Sequence, residues 1–272
     1  MIMSLFVLYS FLFSVQQSQT ASEVSVVHKK ESERQYVFVV SNNRSAPYQL
    51  SISFGVFENM TADANLPVEV VLPAGMKDYS LFHIKAIAIP SSFAYSYKVQ
   101  LGDPRSARND DGVRYVLPFE RGTSRVLMQG YNGRFSHKNT FALDFQMPEG
   151  TVVCAARSGV VVAFKNDGTR GGMDKALEPE ANHITVYHSD GTFAEYVHLK
   201  YRGVLVQIGT VLKAGDPIGL SGNTGYSSQP HLHFAVYLPG YFAASTVPVH
   251  FAEQSGESLQ QGISYTATSV GN

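Results

Sequence analysis

Cysteine is almost missing from this chain. Cys154 stands alone among 272 residues, so no intrachain disulfide can form and the fold must hold without one. Its surroundings, Thr151-Val152-Val153-Cys154-Ala155-Ala156, read as a buried strand in which cysteine serves as a small hydrophobe rather than a nucleophile. Excess charge is missing too. Lys and Arg number 21 against 22 Asp and Glu, a formal net charge of −1; with no strong field of either sign, the balance counts against nucleic-acid binding and against capture by an anionic membrane. No segment carries a convincing helical period of apolar residues. Nor does any run look long enough to span a bilayer. The longest apolar stretch, Met1 to Val15, has the length of a signal-peptide core and falls short of the ~20 residues that a membrane helix needs. No Lys or Arg precedes Lys29, and no cysteine offers a lipid attachment point. Residues 1–21 are therefore expected to be a signal peptide cleaved near Ser18 to Ala21 or, uncleaved, an N-terminal anchor, which makes this an exported protein.

What is present is mostly strand. Gln35 to Val40 is rich in β-branched and aromatic residues, and Gln49 to Val56 alternates apolar with small or polar positions. Val68 to Leu72, Ser80 to Ile89 and Phe93 to Leu101 follow, each bounded by turn residues. That spacing predicts a β-sandwich-like domain over residues 22–122. Polar, turn-rich sequence runs from Gly102 to Gly112, and a second break follows Phe119-Glu120-Arg121-Gly122. Strands resume at Thr140 to Phe145, Thr151 to Ala155, Gly159 to Phe164, His183 to His188, Phe193 to Leu199 and His231 to Leu238, so residues 123–272 form a second all-β unit. Within it Lys165 to Ala181 is a charged, glycine-containing insert expected to be an exposed loop.

The chemistry lies in that second unit. In His231-Leu232-His233 the imidazoles at i and i+2 of a strand address one face. Tyr196-Val197-His198-Leu199 follows an Asp190-Gly191 turn, which places His198 on the second arm of a hairpin. Asp144 sits at the centre of the apolar strand Phe141-Ala142-Leu143-Asp144-Phe145, with His137 upstream. A carboxylate there is costly to bury unless a partner or a metal meets it. Histidine and carboxylate are both ordinary zinc ligands, and a catalytic zinc site keeps three protein ligands with one open position. Gly219 to Gly225 is followed by neither lysine nor helix, which disfavours a phosphate loop; Ser221 lies outside a nucleophile elbow, which disfavours a serine hydrolase. Its expected task is a tight turn delivering the His231 strand. His28, His83, His183, His188 and His250 carry no motif and read as structural; Asn182 either lines the site or serves a turn.

Taken in order, His137 with Asp144, Met147-Pro148-Glu149-Gly150-Thr151, Tyr196-Val197-His198-Leu199, Gly219-Leu220-Ser221-Gly222-Asn223-Thr224-Gly225 and His231-Leu232-His233-Phe234 resemble the lysostaphin-type zinc endopeptidases over roughly residues 123–250. The resemblance implies an all-β architecture, a β-sandwich-like N-terminal domain followed by a β-sheet peptidase domain. It implies one Zn²⁺ per chain, held by His137, Asp144 and His233, with His198 and His231 as the catalytic histidines. It implies peptidoglycan stem peptides or cross-links as substrate and a periplasmic or cell-envelope setting, or an extracellular one. The near-neutral charge, which gives no long-range attraction to anionic wall polymers, adds the expectation of direct stem-peptide cross-links over glycine bridges. Many members place three residues between the first histidine and the aspartate; six lie between His137 and Asp144, which a longer loop accommodates. Either His198 or His231 is suited to take the proton of the attacking water, or to hydrogen-bond the oxyanion and protonate the leaving amine. Two rival readings are a peptidoglycan-binding or amidase-activating module without catalysis and a structural zinc domain. Retention of all five residues speaks against the first, and an exchangeable water would exclude the second.

Overall fold

A computed structural model describes residues 24–252 and 255–268; the segment expected to be a signal peptide, residues 1–21, lies outside the described residues. Among the described residues no helix is long and apolar enough to cross a membrane. The all-β expectation holds, and among the described residues only two short 3₁₀ turns, Lys175–Glu180 and Gly256–Ser258, interrupt the strands.

Residues 24–101 build two antiparallel sheets. One runs in the order Val24–Ser32, Gln35–Asn42, Tyr79–Ala86, Met60–Ala62, and the other Val68–Leu72, Tyr48–Glu58, Ser92–Leu101. Alternation along these strands sends Val24, Phe38, Val40, Leu50, Ile52 and Ile84 into one core, where Phe38 and Phe82 stack at 4.5 Å between centroids. That core does not stop at the end of the sandwich. Val162 and Phe193, contributed from beyond residue 150, are buried in it, with Tyr187 and Tyr237 packed alongside. Gln49, itself buried, spans the junction: its Nε2 donates to the Gly240 carbonyl at 2.9 Å and its Oε1 accepts from the Phe242 amide at 3.0 Å. The two halves thus share apolar surface that neither can expose cheaply.

The second core is larger and draws on Tyr115, Leu117 and Phe119 as well as on Phe145, Val153, Tyr196, Leu232 and Phe234, so its packing begins upstream of residue 123. It belongs to an eleven-stranded sheet whose middle reads Asn182–Tyr187, Phe193–Val204, His231–Gly240, Ala142–Gln146, Ser124–Gln129. Every motif-bearing strand is therefore an immediate neighbour of the next. The Asp190-Gly191 turn joins Asn182–Tyr187 to Phe193–Val204 as an antiparallel hairpin, as the sequence predicts.

Next to this turn lies a titratable group outside the motifs. His188 is buried, donates from Nδ1 to the Ser158 carbonyl at 2.9 Å, and has no hydrogen-bond partner at Nε2 among the described residues. Burial pushes its pKa from 6.5 down to about 4, the nearby Arg157 adding to the effect. The unfolded chain therefore binds this proton first as pH falls. The neutral His188 contributes its full share of stability above pH ~6.5, and that share is lost progressively towards pH ~4, up to about 3 kcal/mol in all. Thermal melts at pH 7 and pH 5 should show a destabilisation that shrinks in His188→Asn; an identical pH response in the variant would contradict this assignment.

Candidate metal centre

Asp144 sits in the strand Ala142–Gln146, directly opposite His233 on one side and Gln129 on the other. Residues facing each other across a ladder point to the same side of the sheet, so this register alone brings carboxylate and imidazole together. His233 Nδ1 lies 2.9 Å from Asp144 Oδ1. His137 arrives from the loop before the Asp144 strand, and its Nε2 lies 3.2 Å from Asp144 Oδ2 and 3.2 Å from His233 Nδ1. The six-residue spacing between His137 and Asp144 is taken up by this loop, turned at Asn139 with φ +57°. His137 and Asp144 are buried, His233 partly so, and their ligand atoms all fall within 4.8 Å of one another.

The donor set fits a tetrahedral cation. Two ligand atoms each ~2.0–2.1 Å from such an ion stand about 3.3 Å apart, close to the separations found here. A carbonyl oxygen can only accept, so the 3.1 Å contact of His137 Nδ1 with the Gly130 carbonyl places a proton on Nδ1 and leaves Nε2, which faces Asp144 and His233, as the atom that would ligate an ion. Burial disfavours charge on Asp144, but hydrogen bonds to His137 and His233 outweigh it and hold its carboxyl well below the usual carboxylate range. Burial likewise opposes charge on His137, and the Asp144 carboxylate prevails, raising its pKa.

The other two histidines flank this cluster. His231, two residues before His233, has its Nε2 3.7 Å from Asp144 Oδ1. Its Nδ1 donates to the Gln229 carbonyl at 2.8 Å, with Ser227 Oγ at 3.1 Å. His198 reaches the same face by a backbone irregularity. Val197 is the residue paired with His233, so regular alternation would send the His198 ring to the far side. Instead His198 adopts φ +66°, a left-handed conformation that costs a non-glycine residue ~1–3 kcal/mol. Its ring comes to 4.6 Å from that of His231 and 6.0 Å from that of His233. His198 Nδ1 donates to the Thr224 carbonyl at 2.7 Å. Burial, reinforced by the neighbouring histidines, pushes the His198 pKa down to about 3 and that of His231 down as well. Both therefore present a neutral ring with an unprotonated Nε2.

Asp144, His198, His231 and His233 open into one cleft of about 240 Å³, walled on its outer side by Phe135, Met173 and Tyr226. Phe135 and Tyr226 lie parallel, 6.3 Å between centroids. Sequence reasoning missed three groups that set this geometry. Gln129 donates from Nε2 to Asp144 Oδ2 at 3.1 Å and to Ser136 Oγ at 2.8 Å, while its Oε1 accepts from the Phe135 and Ser136 amides. Ser227 and the Thr224 carbonyl anchor the two flanking histidines. The one signal was a buried-strand pattern, Val126-Leu127-Met128, ending in a polar residue. Gly219 to Gly225 is more than a turn: it comprises the end of the strand Pro217–Ser221 and the loop that carries Thr224.

Residues 138–244 match the model of peptidase family M23. The chain carries an M23 peptidase domain. The matched span holds Asp144, His198, His231 and His233, and His137 directly precedes it. Over 97 residues the chain is 36% identical to the peptidoglycan DD-endopeptidase ShyA of Vibrio cholerae, covering 36% of this chain and 20% of ShyA. Over 157 residues it is 38% identical to lysostaphin of Staphylococcus simulans, covering 56% of this chain and 28% of lysostaphin. An uncharacterized metalloprotease of Buchnera aphidicola is 42% identical over 96 residues, 35% of this chain and 22% of that protein. The chain thus spans less than a third of the length of these relatives. The catalytic domain of lysostaphin from Staphylococcus simulans shares 27% identity over 51% of this chain and 87% of that domain, with a TM-score of 0.32.

Proposed function

We propose that the M23 domain is a zinc-dependent endopeptidase that hydrolyses peptide bonds in peptidoglycan cross-links. One observation carries the reading: two unprotonated histidine nitrogens and a three-ligand cluster with a free side converge on a single open cleft. His137, Asp144 and His233 would hold the ion. A bound zinc supplies Lewis acidity, lowering the pKa of a water to ~7 and polarising the scissile carbonyl. The chain's own residues do the rest. His198 and His231, each fixed through Nδ1 to a backbone carbonyl, present Nε2 to the cleft, where one takes the proton of the attacking water. That ring, now protonated at Nε2, can hydrogen-bond the developing oxyanion and deliver the proton to the leaving amine, while the lone pair of the other ring accepts from the water's second hydrogen and orients it. Gln129 fixes the orientation of the Asp144 carboxylate, and the buried sheet behind the cluster keeps solvent from its rear.

The cleft walls favour direct cross-links over glycine bridges. Phe135, Met173 and Tyr226 offer apolar contact area to substrate side chains, and glycine has none with which to use it. A substrate in the wall places the working enzyme in the cell envelope. Incubation with directly cross-linked peptidoglycan should convert dimeric muropeptides to monomers. Release of fragments only from wall with glycine bridges would overturn the substrate choice. A catalytically silent wall-binding module, the rival function, would bind both and convert neither.

A further inference from the structure

The insert between Lys165 and Ala181 reaches both flanking histidines through a single loop, residues 223–227. That loop supplies the Thr224 carbonyl that accepts from His198 and the Ser227 hydroxyl beside His231. It is itself bound to the insert as a short parallel ladder, Gly171 opposite Gly225 and Gly172 opposite Tyr226. The Gly225 amide donates to the Arg170 carbonyl at 2.8 Å and the Ser227 amide to the Gly172 carbonyl at 3.1 Å. Gly171 must be glycine for this approach, because a Cβ would collide with the Asn223 carbonyl.

At the base of the insert lies Asn182, fully buried and with its side-chain amide fully used. Its Oδ1 accepts from the Gly168 amide, and its Nδ2 donates to the Gly168 carbonyl at 2.8 Å and to the Leu199 carbonyl at 3.3 Å. Its own amide donates to Thr224 Oγ1 at 2.9 Å, and that hydroxyl donates to the Leu199 carbonyl at 2.8 Å. Two donors therefore converge on the Leu199–Lys200 peptide, one residue beyond His198, while Gly222 abuts that peptide from another direction. A left-handed residue persists only where its surroundings over-determine it, and these contacts do so.

We propose that Asn182 is a positioning residue for His198. It ties the insert, Thr224 and the Leu199 carbonyl into one unit, which holds His198 in its left-handed backbone with Nδ1 protonated and Nε2 free. The proposal rests on the functional reading above, in which His198 moves a proton. It predicts a defect in proton transfer rather than in substrate or metal binding.

The test uses the full zinc-loaded chain. Asn182→Asp keeps the side-chain volume but turns an acceptor towards two carbonyls. Thr224→Val removes the hydroxyl while keeping the carbonyl that receives His198, and it decides the matter if the first variant does not fold. Three quantities are read: zinc content, kcat and KM on cross-linked muropeptides, and the ¹⁵N resonances of the His198 ring. The expected result is full zinc, KM within about twofold of the parent, kcat lower by ~10-fold or more, and a second ring tautomer. A single Nδ1-protonated tautomer retained in a folded variant overturns the proposal. If the parent chain hydrolyses nothing, the functional reading fails, and the ring resonances still decide the role of Asn182.

Discussion

Asp144→Asn should purify without zinc and lose at least ~10³-fold in hydrolysis, while keeping its fold. The carboxylate is the only anion among the three convergent ligands, and it is the group on which His137 and His233 both close. Replacing one oxygen by an amide removes the charge that a dication needs and puts a donor where His137 Nε2 or His233 Nδ1 requires an acceptor. Lewis-acid catalysis is worth several kcal/mol of transition-state stabilisation, and each 1.36 kcal/mol is about tenfold in rate, which sets the size of the loss. The fold survives because the strand Ala142–Gln146 is held by its ladders to His231–Gly240 and Ser124–Gln129, not by this side chain. Metal analysis of the purified variant, with circular dichroism as the control for folding, reads the outcome. Full zinc occupancy in Asp144→Asn, in Asp144→Ala or in His233→Ala would show that the ligands have been misassigned.

His198→Ala and His231→Ala should behave differently: zinc stays, and activity falls. Neither ring is needed to complete the three-ligand cluster, and each has its Nδ1 committed to a backbone carbonyl. Positioned acid–base groups contribute ~10²–10⁴-fold to rate, so each variant should lose that much kcat with one zinc per chain retained. Because the two rings lie 4.6 Å apart and serve one reaction, the double variant should lose less than the product of the single losses. Should either single variant lose its metal, that residue is a ligand and the division of roles is wrong.

The amino-acid sequence reveals some layers of this design and hides others. Residues whose placement follows from strand periodicity are legible. His231 and His233 share a face because they are two apart, and Asp144 is conspicuous because an acid interrupts an apolar strand. The strand predicted over Val68 to Leu72 is found with the same bounds, since β-branched alternation and flanking turns act locally. Placement that depends on departures from periodicity is hidden. His198 reaches the cleft through a left-handed backbone that no neighbour in sequence announces, and its supports, Asn182 on one side and Gly222 and Thr224 on the other, come from two segments distant from it in sequence. Gln129 is equally silent, because a glutamine at a strand end is ordinary until the register sets it opposite Asp144. The junction between the two halves is hidden for a related reason. Val162 and Phe193 read as core residues of the second unit, yet they complete the core of the first. The Lys165 to Ala181 insert is exposed over most of its length, as its composition suggests. Its ladder with the 223–227 loop depends on glycines whose spacing resembles any flexible tract.

The central claim is that this chain cuts peptide cross-links through a metal ion, and one measurement addresses it most directly. Purified, directly cross-linked muropeptide dimers are incubated with the full chain as purified, after chelation, and after chelation followed by stoichiometric zinc, and the products are identified by mass. Dimers should become monomers with a mass gain of one water per bond, chelation should abolish the conversion, and zinc should restore it. Conversion that persists in chelator, or zinc-loaded chain that leaves the dimers intact, would contradict the account.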